Sequence, residues 1–153
     1  RSYSVTGVQT CALPIFKLKE CGIALTESKT DSTNGYSNLV TLTLSGPKGS
    51  VSVFGTVYGK KEGRIVQINE YRVQVPTEGY MVMATHEDRP NIIGPCCVVL
   101  GEDQINIGGM HVGRKPSGGK QIMVLNVDHP VSDDTLKRLT EVSGVVKAKL
   151  IKL

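Results

Sequence analysis

Apolar and polar residues alternate along much of the first half of the chain. In the run NLVTLTLS at residues 38–45, Val40, Leu42 and Leu44 fall on one face of a strand and the threonines between them fall on the other. Period-two alternation of β-branched residues is typical of strands. The same pattern recurs in the runs IALTESK, SVSVFGTVYG and RIVQINEYRVQV, and the turn sequences GPKG and GKKEG separate some of these runs. Residues 23–75 are therefore predicted to form an antiparallel β-rich segment.

The pattern changes after residue 79. YMVMATHE is typical of a buried strand, and Asp88 or Pro90 after it is predicted to begin a helix. One apolar stripe of this helix recurs at intervals of three and four residues, at Ile92, Ile93, Cys96, Val99 and Leu100. That spacing predicts a helix that buries one broad face.

The remaining pattern predicts three further strands and a second helix. INIGGMHVGR and KQIMVLNVD flank the turn sequence KPSGG, which predicts a hairpin. In the first of these strands, Gly108 and Gly109 indicate either a bulge or a close approach of backbone. VSDDTLKRLTEV predicts a helix capped by Ser132 and followed by Gly144, and VVKAKLIKL predicts a lysine-bearing edge strand. From residue 79 the order is β-α-β-β-α-β, so the fold class is α+β with a ferredoxin-like unit.

Composition narrows the classes of function. At 153 residues, the chain is long enough for one ordinary domain or two small ones. The net charge of +4 comes from scattered lysines and arginines, so no nucleic-acid partner is expected. No apolar run is long enough for a membrane span, and no membrane partner is expected. The four cysteines lack metal-site spacing, which favours buried Cys96 and Cys97 and a reducing, cytoplasmic setting.

The first fifteen residues, RSYSVTGVQTCALPI, show no helical or strand periodicity. They resemble the conceptual translation of a sequencing adapter. Residues 1–15 are accordingly expected to be non-native, with the natural protein continuing upstream, and the alternative is an ordinary disordered tail.

Two segments carry a resemblance to known families. HEDRPNIIG, GEDQINIGGMHVGR and GGKQIMVLNVD resemble an ACT domain, the βαββαβ module that binds amino acids and regulates metabolic enzymes. GTVYGKKEGRIVQINEYRVQVPTEGYM is similar to the intervening domain that precedes the ACT domain in long-form D-3-phosphoglycerate dehydrogenases. The resemblance implies a partial intervening domain at residues 16–78 and an ACT domain at residues 79–153.

The resemblance also implies that the catalytic residues and the regulatory residues lie in different parts of the parent enzyme. The parent family uses NAD in the first committed step of L-serine synthesis, and its cofactor and catalytic residues would lie upstream of this chain. No Gly-x-Gly-x-x-Gly loop follows a strand here, so no catalytic residues, cofactor or metal are expected in this chain. The expected partners are L-serine or another small amino acid and, through pairing of ACT domains, a second copy of the chain.

Matching the motifs position by position implies an effector site. The predicted residues are those of the loop after the first ACT strand, His86, Asp88, Asn91, Ile92 and Ile93, and Asn106 of the second strand of a neighbouring domain. Asp88 or the amide of Asn106 would accept from an ammonium group, and N–H groups in the first helical turn would bind a carboxylate. The alternatives are a packed histidine for His86 and a helix N-cap for Asp88.

The sequence is compatible with three hypotheses about the function. The first is a serine-sensing regulatory part of a phosphoglycerate dehydrogenase. The second is the ACT-bearing β subunit of an L-serine dehydratase, which has a similar domain pair, and the third is a non-catalytic ACT assembly module. In the upstream segment Lys60, Arg64 and Arg72 form a candidate anion site, although such charges are more often solvated.

Overall fold

The computed structural model describes residues 20–24, 26, 28, 35–47, 49–115 and 118–153. All the strands and both long helices described below belong to one structural unit. The expectation of a non-native segment at residues 1–15 lies outside the described residues. Of the first predicted strand, IALTESK, the described residues 23, 24, 26 and 28 are not in a strand.

The upstream part of this unit is a four-stranded antiparallel sheet with the order β1-β2-β3-β4. Its strands are β1 (Val40–Gly46), β2 (Gly49–Tyr58), β3 (Glu62–Ile68) and β4 (Tyr71–Pro76). The run RIVQINEYRVQV folds as a hairpin, because Asn69 adopts a left-handed φ of 52° between β3 and β4. Asparagine tolerates that conformation better than most residues. The predicted antiparallel β-rich segment is confirmed for residues 40–76.

Strand β1 is exposed along its whole length. Val40, Leu42 and Leu44 are 71%, 68% and 61% exposed, although they form one apolar row. Leu42 and Leu44 lie opposite Val53 and Val51 of β2, so the row extends across two strands. The alternation therefore predicted the strand but not its burial.

The downstream part is a second four-stranded sheet with two helices. Its elements are β5 (Tyr80–Glu87), α1 (Ile93–Glu102), β6 (Ile107–Gly113), β7 (Lys120–Val127), α2 (Asp133–Glu141) and β8 (Val145–Lys152). The strands are antiparallel in the order β6-β7-β5-β8. Both the βαββαβ order and the edge position of the lysine-bearing strand β8 are confirmed.

The two central strands of the second sheet, β5 and β7, are buried on both faces. On one face, Val82 and Ala84 of β5 and Met123 and Leu125 of β7 pack in one core with Leu100 and the rest of the apolar stripe of α1. Burial, and secondarily the neighbouring Cys97, raises the pKa of the Cys96 thiol in this core to about 11, so Cys96 stays a neutral apolar group. Cys97 is only half-buried.

The opposite face of the second sheet packs against the first sheet. Tyr71, Val73 and Val75 of β4 share a core with Met81 of β5 and Val124 of β7. These three β4 residues are the buried half of an alternating strand, as their spacing predicts. The two sheets therefore bury each other through one apolar cluster.

Helix α1 begins later than the sequence predicts. Asp88 and Pro90 lie before the helix, which starts at Ile93. Asn91 has φ 62°, a left-handed conformation that a continuous right-handed helix excludes. Pro95 is tolerated because it lies in the first turn, where its missing N–H has no helical partner.

Strand β6 also differs from its prediction. The strand begins at Ile107, so Asn106 precedes it and is exposed. The register with β7 shifts between Ile107 and Gly109, which identifies Gly108 as the extra residue of a bulge. Within this chain, a Cβ atom at Gly108 would meet no atom closer than 3.6 Å.

The predicted cap of the second helix is confirmed. The Ser132 hydroxyl accepts from the backbone N–H of Thr135 at 3.1 Å. We expect Ser132→Ala to lower the free energy of unfolding by about 1 kcal/mol. Urea denaturation measures this change, and Ser132→Asn, which keeps an acceptor, is the control. Equal stability of the Ala and Asn variants would contradict a capping role for Ser132.

Candidate functional site

His86 lies near the end of β5, where the chain leaves the second sheet. Its side chain is 3% exposed, and its Nδ1 lies 2.6 Å from the carbonyl oxygen of Glu87. A carbonyl oxygen only accepts, so Nδ1 carries a proton. Nε2 is buried and has no hydrogen-bond partner among the described residues. His86 is therefore a buried histidine with one unpaired ring nitrogen.

Asp88 follows β5 and forms hydrogen bonds to residues of the connection between β6 and β7. Its carboxylate accepts from Nη2 of Arg114 at 2.8 Å, and its backbone N–H donates to Gly119 at 3.0 Å. Because α1 begins at Ile93, the alternative in which Asp88 caps the helix is wrong. Its side chain is 30% exposed, which leaves the carboxylate accessible at the surface.

The segment from Asn91 to Ile93 forms the start of α1. Ile92 is almost fully buried and belongs to the core between helices and sheet. It is also the N-cap residue, and no side chain caps the helix there. The first backbone N–H groups of α1 therefore have neither an intrahelical acceptor nor a side-chain cap. This helix end can donate to an anionic group, which the macrodipole favours.

Asn106 lies at the opposite end of the second sheet from His86. Its Nδ2 donates to Asp128 at 2.8 Å, so the amide oxygen is the atom that can accept from a ligand. His86 pairs with Gln121 of β7, whereas Ile107, next to Asn106, pairs with Val127. Gln121 and Val127 are six residues apart on one strand, or roughly 20 Å. One copy of the chain therefore does not bring Asn106 together with His86 and Asp88.

Two polar residues beside His86 and Asp88 were not anticipated from the sequence. Arg114 follows β6 and binds Asp88, while its Nε lies 3.4 Å from Oε1 of Gln121. Gln121 is 1% exposed in β7, and its Nε2 has no partner in the described part of the chain. An amide directly before the apolar residues IMVL in the run KQIMVLNVD was the available signal for Gln121. The pairing of Arg114 depends on the fold and had no signal of its own.

The candidate anion residues are not brought into one cluster. Lys60 lies in the turn between β2 and β3, and Arg64 of β3 pairs with Glu62 through Nε at 2.9 Å. Arg64 lies opposite Pro76, whereas Arg72 lies four residues away along β4, opposite Gln67. Four residues of a strand span roughly 13 Å. Arg72 lines two surface cavities, of about 420 and 480 Å³, and Arg114 borders the larger one.

Two pKa shifts lie at the junction of the two sheets. Partial burial, and secondarily the charge of Arg64, lowers the pKa of His111 in β6. A hydrogen bond to Glu70 raises the pKa of Lys115, whose ammonium lies 4.9 Å from the centre of the Tyr71 ring. These groups lie outside the cluster of His86 and Asp88. Among the described residues, no group of three or more His, Cys, Asp or Glu side chains could hold a metal.

The sequence matches one family model. Residues 6–69 match the D-3-phosphoglycerate dehydrogenase intervening domain. Nothing in the described helices is both long and apolar enough to cross a membrane.

Similar proteins of known function are mostly D-3-phosphoglycerate dehydrogenases. The chain is 36% identical over 135 residues to that enzyme of Bacillus subtilis, which covers 88% of this chain and 26% of the relative. It is 33% identical over 149 residues to the enzyme of Methanocaldococcus jannaschii, covering 97% of this chain and 28% of the relative. The chain thus spans about a quarter of the length of these relatives. The resemblance to the C-terminal part of D-3-phosphoglycerate dehydrogenase is confirmed.

A different enzyme gives a weaker match. The probable L-serine dehydratase beta chain of Bacillus subtilis is 25% identical over 121 residues, covering 79% of this chain and 55% of that relative. Both the identity and the share of this chain that is covered are lower than for the dehydrogenases of Bacillus subtilis and Methanocaldococcus jannaschii. The similarity therefore favours the dehydrogenases.

Proposed function

Because residues 6–69 match the D-3-phosphoglycerate dehydrogenase intervening domain, we propose that this chain is the C-terminal regulatory part of such an enzyme. The enzyme would use NAD in the L-serine pathway, with cofactor and catalytic residues outside this chain. In the proposal, residues 79–153 form an ACT domain that binds L-serine between two copies and mediates feedback control. The similarity to several D-3-phosphoglycerate dehydrogenases supports the choice of parent enzyme.

The separation of Asp88 from Asn106 carries the proposal of a shared site. The two residues flank opposite ends of α1 within one chain, so they cannot hold one small ligand together. In a two-fold dimer, Asp88 of one copy can face Asn106 of the other, and the symmetry generates two equivalent sites. The predicted site residues thus require a second copy, and the ligand in turn would stabilise the pairing.

The chemistry of each half suits an amino-acid zwitterion. The exposed carboxylate of Asp88 can accept from the ammonium group, and the uncapped start of α1 at Ile92 and Ile93 can donate to the carboxylate. The amide oxygen of Asn106 from the second copy supplies a further acceptor. Arg114 donates to Oδ1 of Asp88 alone, so the second carboxylate oxygen is the one that can accept from the ligand ammonium.

Feedback then follows from linkage. A ligand that binds the paired arrangement more tightly than the unpaired one increases the population of the paired arrangement. The free energy of this shift equals the difference between the two binding free energies. The regulatory part would in this way change the positions available to the catalytic domains of the parent enzyme.

A mixture of two variants that each bind L-serine weakly tests whether the site is shared between two copies of the chain. We expect Asp88→Ala and Asn106→Ala each to weaken L-serine binding at least about tenfold, because each removes a polar contact to a charged group. In an equal mixture, heterodimers would regain one intact site, so roughly a quarter of all sites should bind with wild-type affinity. Isothermal titration calorimetry measures this fraction, and analytical ultracentrifugation confirms the dimer.

The control for the mixing experiment is each variant chain titrated alone at the same total concentration. Absence of serine binding by a confirmed wild-type dimer at millimolar ligand would contradict the proposal. Binding by the wild type without recovery in the mixture would contradict the shared site only.

The match to the serine dehydratase beta chain supports a second candidate. In this reading the same domain pair belongs to a subunit that does not bind NAD. The coding sequence upstream of the chain separates the two, because a dehydrogenase requires a glycine-rich nucleotide-binding loop after a strand. In the third reading, a non-catalytic assembly module, Asp88→Ala would change stability alone.

A further inference from the structure

The connection between β6 and β7 contacts two separate parts of the chain. Its described residues are Arg114, Lys115, Gly118 and Gly119. One of the two parts is the segment after β5, which contains Asp88, and the other is the turn between β3 and β4 of the first sheet. The connection therefore contacts both the candidate effector site and the upstream sheet.

Asp88 is bound by both ends of this connection. Its carboxylate accepts from Nη2 of Arg114 at 2.8 Å, and its backbone N–H donates to the carbonyl oxygen of Gly119 at 3.0 Å. Arg114 is the first residue of the connection and Gly119 is the last. A displacement of the segment after β5 therefore acts on the connection at two points, through a charged side chain and through the backbone.

The turn between β3 and β4 is bound by residues next to those ends. Lys115 forms an ion pair with Glu70, and its Nζ lies 4.9 Å from the centre of the Tyr71 ring, within the range of a cation–π contact. The Tyr71 hydroxyl donates to the carbonyl oxygen of Lys120 at 2.9 Å. Both contacts lie one residue from a residue that binds Asp88. We name these contacts of residues 114, 115, 119 and 120 the bridge.

The turn between β3 and β4 is itself fixed to the next strand of its sheet. The backbone N–H of Asn69 donates to the carbonyl oxygen of Ser52 at 2.7 Å, and the N–H of Ser52 donates to Oδ1 of Asn69 at 2.8 Å. Asn69 directly precedes Glu70, so a displacement of Glu70 changes the geometry of these two bonds. The amide of Asn69 therefore reports on one end of the bridge, and the amide of Asp88 reports on the other.

Exposed side chains form the charged part of the bridge. Glu70 and Arg114 border one surface cavity of about 480 Å³, and their side chains are 71% and 73% exposed. Ion pairs between such exposed groups break readily, because each stabilises its partners only weakly. The bridge therefore has two arrangements, with its ion pairs made or broken, and a change at either end can shift the population between them.

We propose that the connection between β6 and β7 couples the segment after β5 to the turn between β3 and β4, so that a change at Asp88 alters the local stability of the first sheet. The inference goes beyond the proposed function, since it concerns how the candidate effector site affects the upstream sheet and holds without a bound ligand. Coupling between two sites is reciprocal, so a change at Glu70 must also alter the segment after β5. Under the proposed function, a ligand at Asp88 would affect the first sheet through the same contacts.

The test is amide hydrogen exchange of the full 153-residue chain without ligand, measured for single residues by NMR spectroscopy. Asp88→Ala removes the acceptor for Arg114, so exchange of the Asn69 amide should become about two- to fivefold faster. Arg114→Met breaks the same ion pair from the other partner and should have the same effect. Reciprocally, Glu70→Ala should accelerate exchange of the Asp88 amide by a similar factor.

Two ion pairs outside the bridge supply the matched controls. Glu87→Ala removes an ion pair at the end of β5 and should leave exchange of the Asn69 amide unchanged. Glu62→Ala removes an ion pair within β3 and should leave exchange of the Asp88 amide unchanged. Circular dichroism and thermal melts establish that each variant is folded, and Arg114→Met provides the answer if Asp88→Ala is not.

A double-variant cycle shows whether the effect passes through the connection. Lys115→Met removes the ion pair with Glu70 and leaves Arg114 in place. In this background, Asp88→Ala should change the exchange rate of the Asn69 amide by less than about 1.5-fold.

The outcomes decide the inference without reference to serine binding. If Asp88→Ala and Arg114→Met leave exchange at Asn69 unchanged, or if the response persists in full with Lys115→Met, the bridge is overturned and the proposed serine site stands. Equal acceleration by Glu87→Ala would also overturn it, because a general loosening of the fold would then explain the effect. Acceleration at Asn69 that is reciprocated at Asp88 and lost with Lys115→Met supports the inference.

Discussion

Replacing Leu125 with Ala is expected to lower the free energy of unfolding by about 3 kcal/mol. Leu125 is 0% exposed and lies on β7, one of the two central strands of the second sheet. Its side chain packs in the core that the sheet shares with both helices. The truncation removes apolar contacts and leaves a cavity, because a core bounded by a sheet and two helices collapses only partly.

Urea denaturation followed by circular dichroism measures the effect of Leu125→Ala. The control is Val98→Ala on the exposed side of α1, where the side chain is 58% exposed, and a change within about 0.5 kcal/mol is expected. A loss below about 1 kcal/mol for Leu125→Ala would mean that this core is not packed as described.

Gly113→Ala is expected to destabilise the fold by about 2 kcal/mol, because it overpacks the junction of the two sheets. A Cβ atom there would lie 2.9 Å from Cβ of Tyr71 and 3.0 Å from the carbonyl oxygen of Arg72. These are backbone or near-backbone atoms of β4, so the clash is relieved only if the sheets separate. Loss of stability should therefore accompany greater exposure of Tyr71.

Tyrosine fluorescence and thermal melts of Gly113→Ala test this prediction. Gly101→Ala in α1 is the matched control, since a Cβ at Gly101 would meet nothing within 4 Å. Alanine there should be neutral or stabilising by up to about 1 kcal/mol. If the two variants were equally stable, the close approach of β4 and β6 would be contradicted.

Local patterns in the sequence were sufficient for most of the fold. Alternation predicted β4 with Tyr71, Val73 and Val75 inward, and spacing by three and four predicted the buried stripe of α1. The predicted start of α1 was too early, because the left-handed conformation of the single residue Asn91 interrupts the chain there and produces no periodic pattern in the sequence. For β1 the strand was predicted correctly, but its apolar row is exposed. Alternation shows that a strand has an apolar and a polar face, but it does not show which face is covered by another element.

The candidate site was predictable only in part. The motif placed His86 and Asp88 together at the end of β5, and the structure has them there. Asn106 was expected in an apolar strand, but it precedes β6 and is held by Asp128. Arg114 and Gln121 reach the site through pairing of β6, β7 and β5, and such long-range pairing leaves no periodic trace in the sequence.

The apolar cluster that joins the two sheets has a consequence for folding cooperativity. Tyr71, Val73 and Val75 are covered by strands of the other sheet, so melting either sheet would expose apolar surface of both. Chemical denaturation of the unit should then be a single transition whichever sheet carries the probe. If residues 79–153 were exchanged for those of a relative, the inward-facing side chains of β4 would also have to be exchanged, because they pack against the second sheet. A chimaera joined only at the connection after Pro76 would inherit a mismatched core.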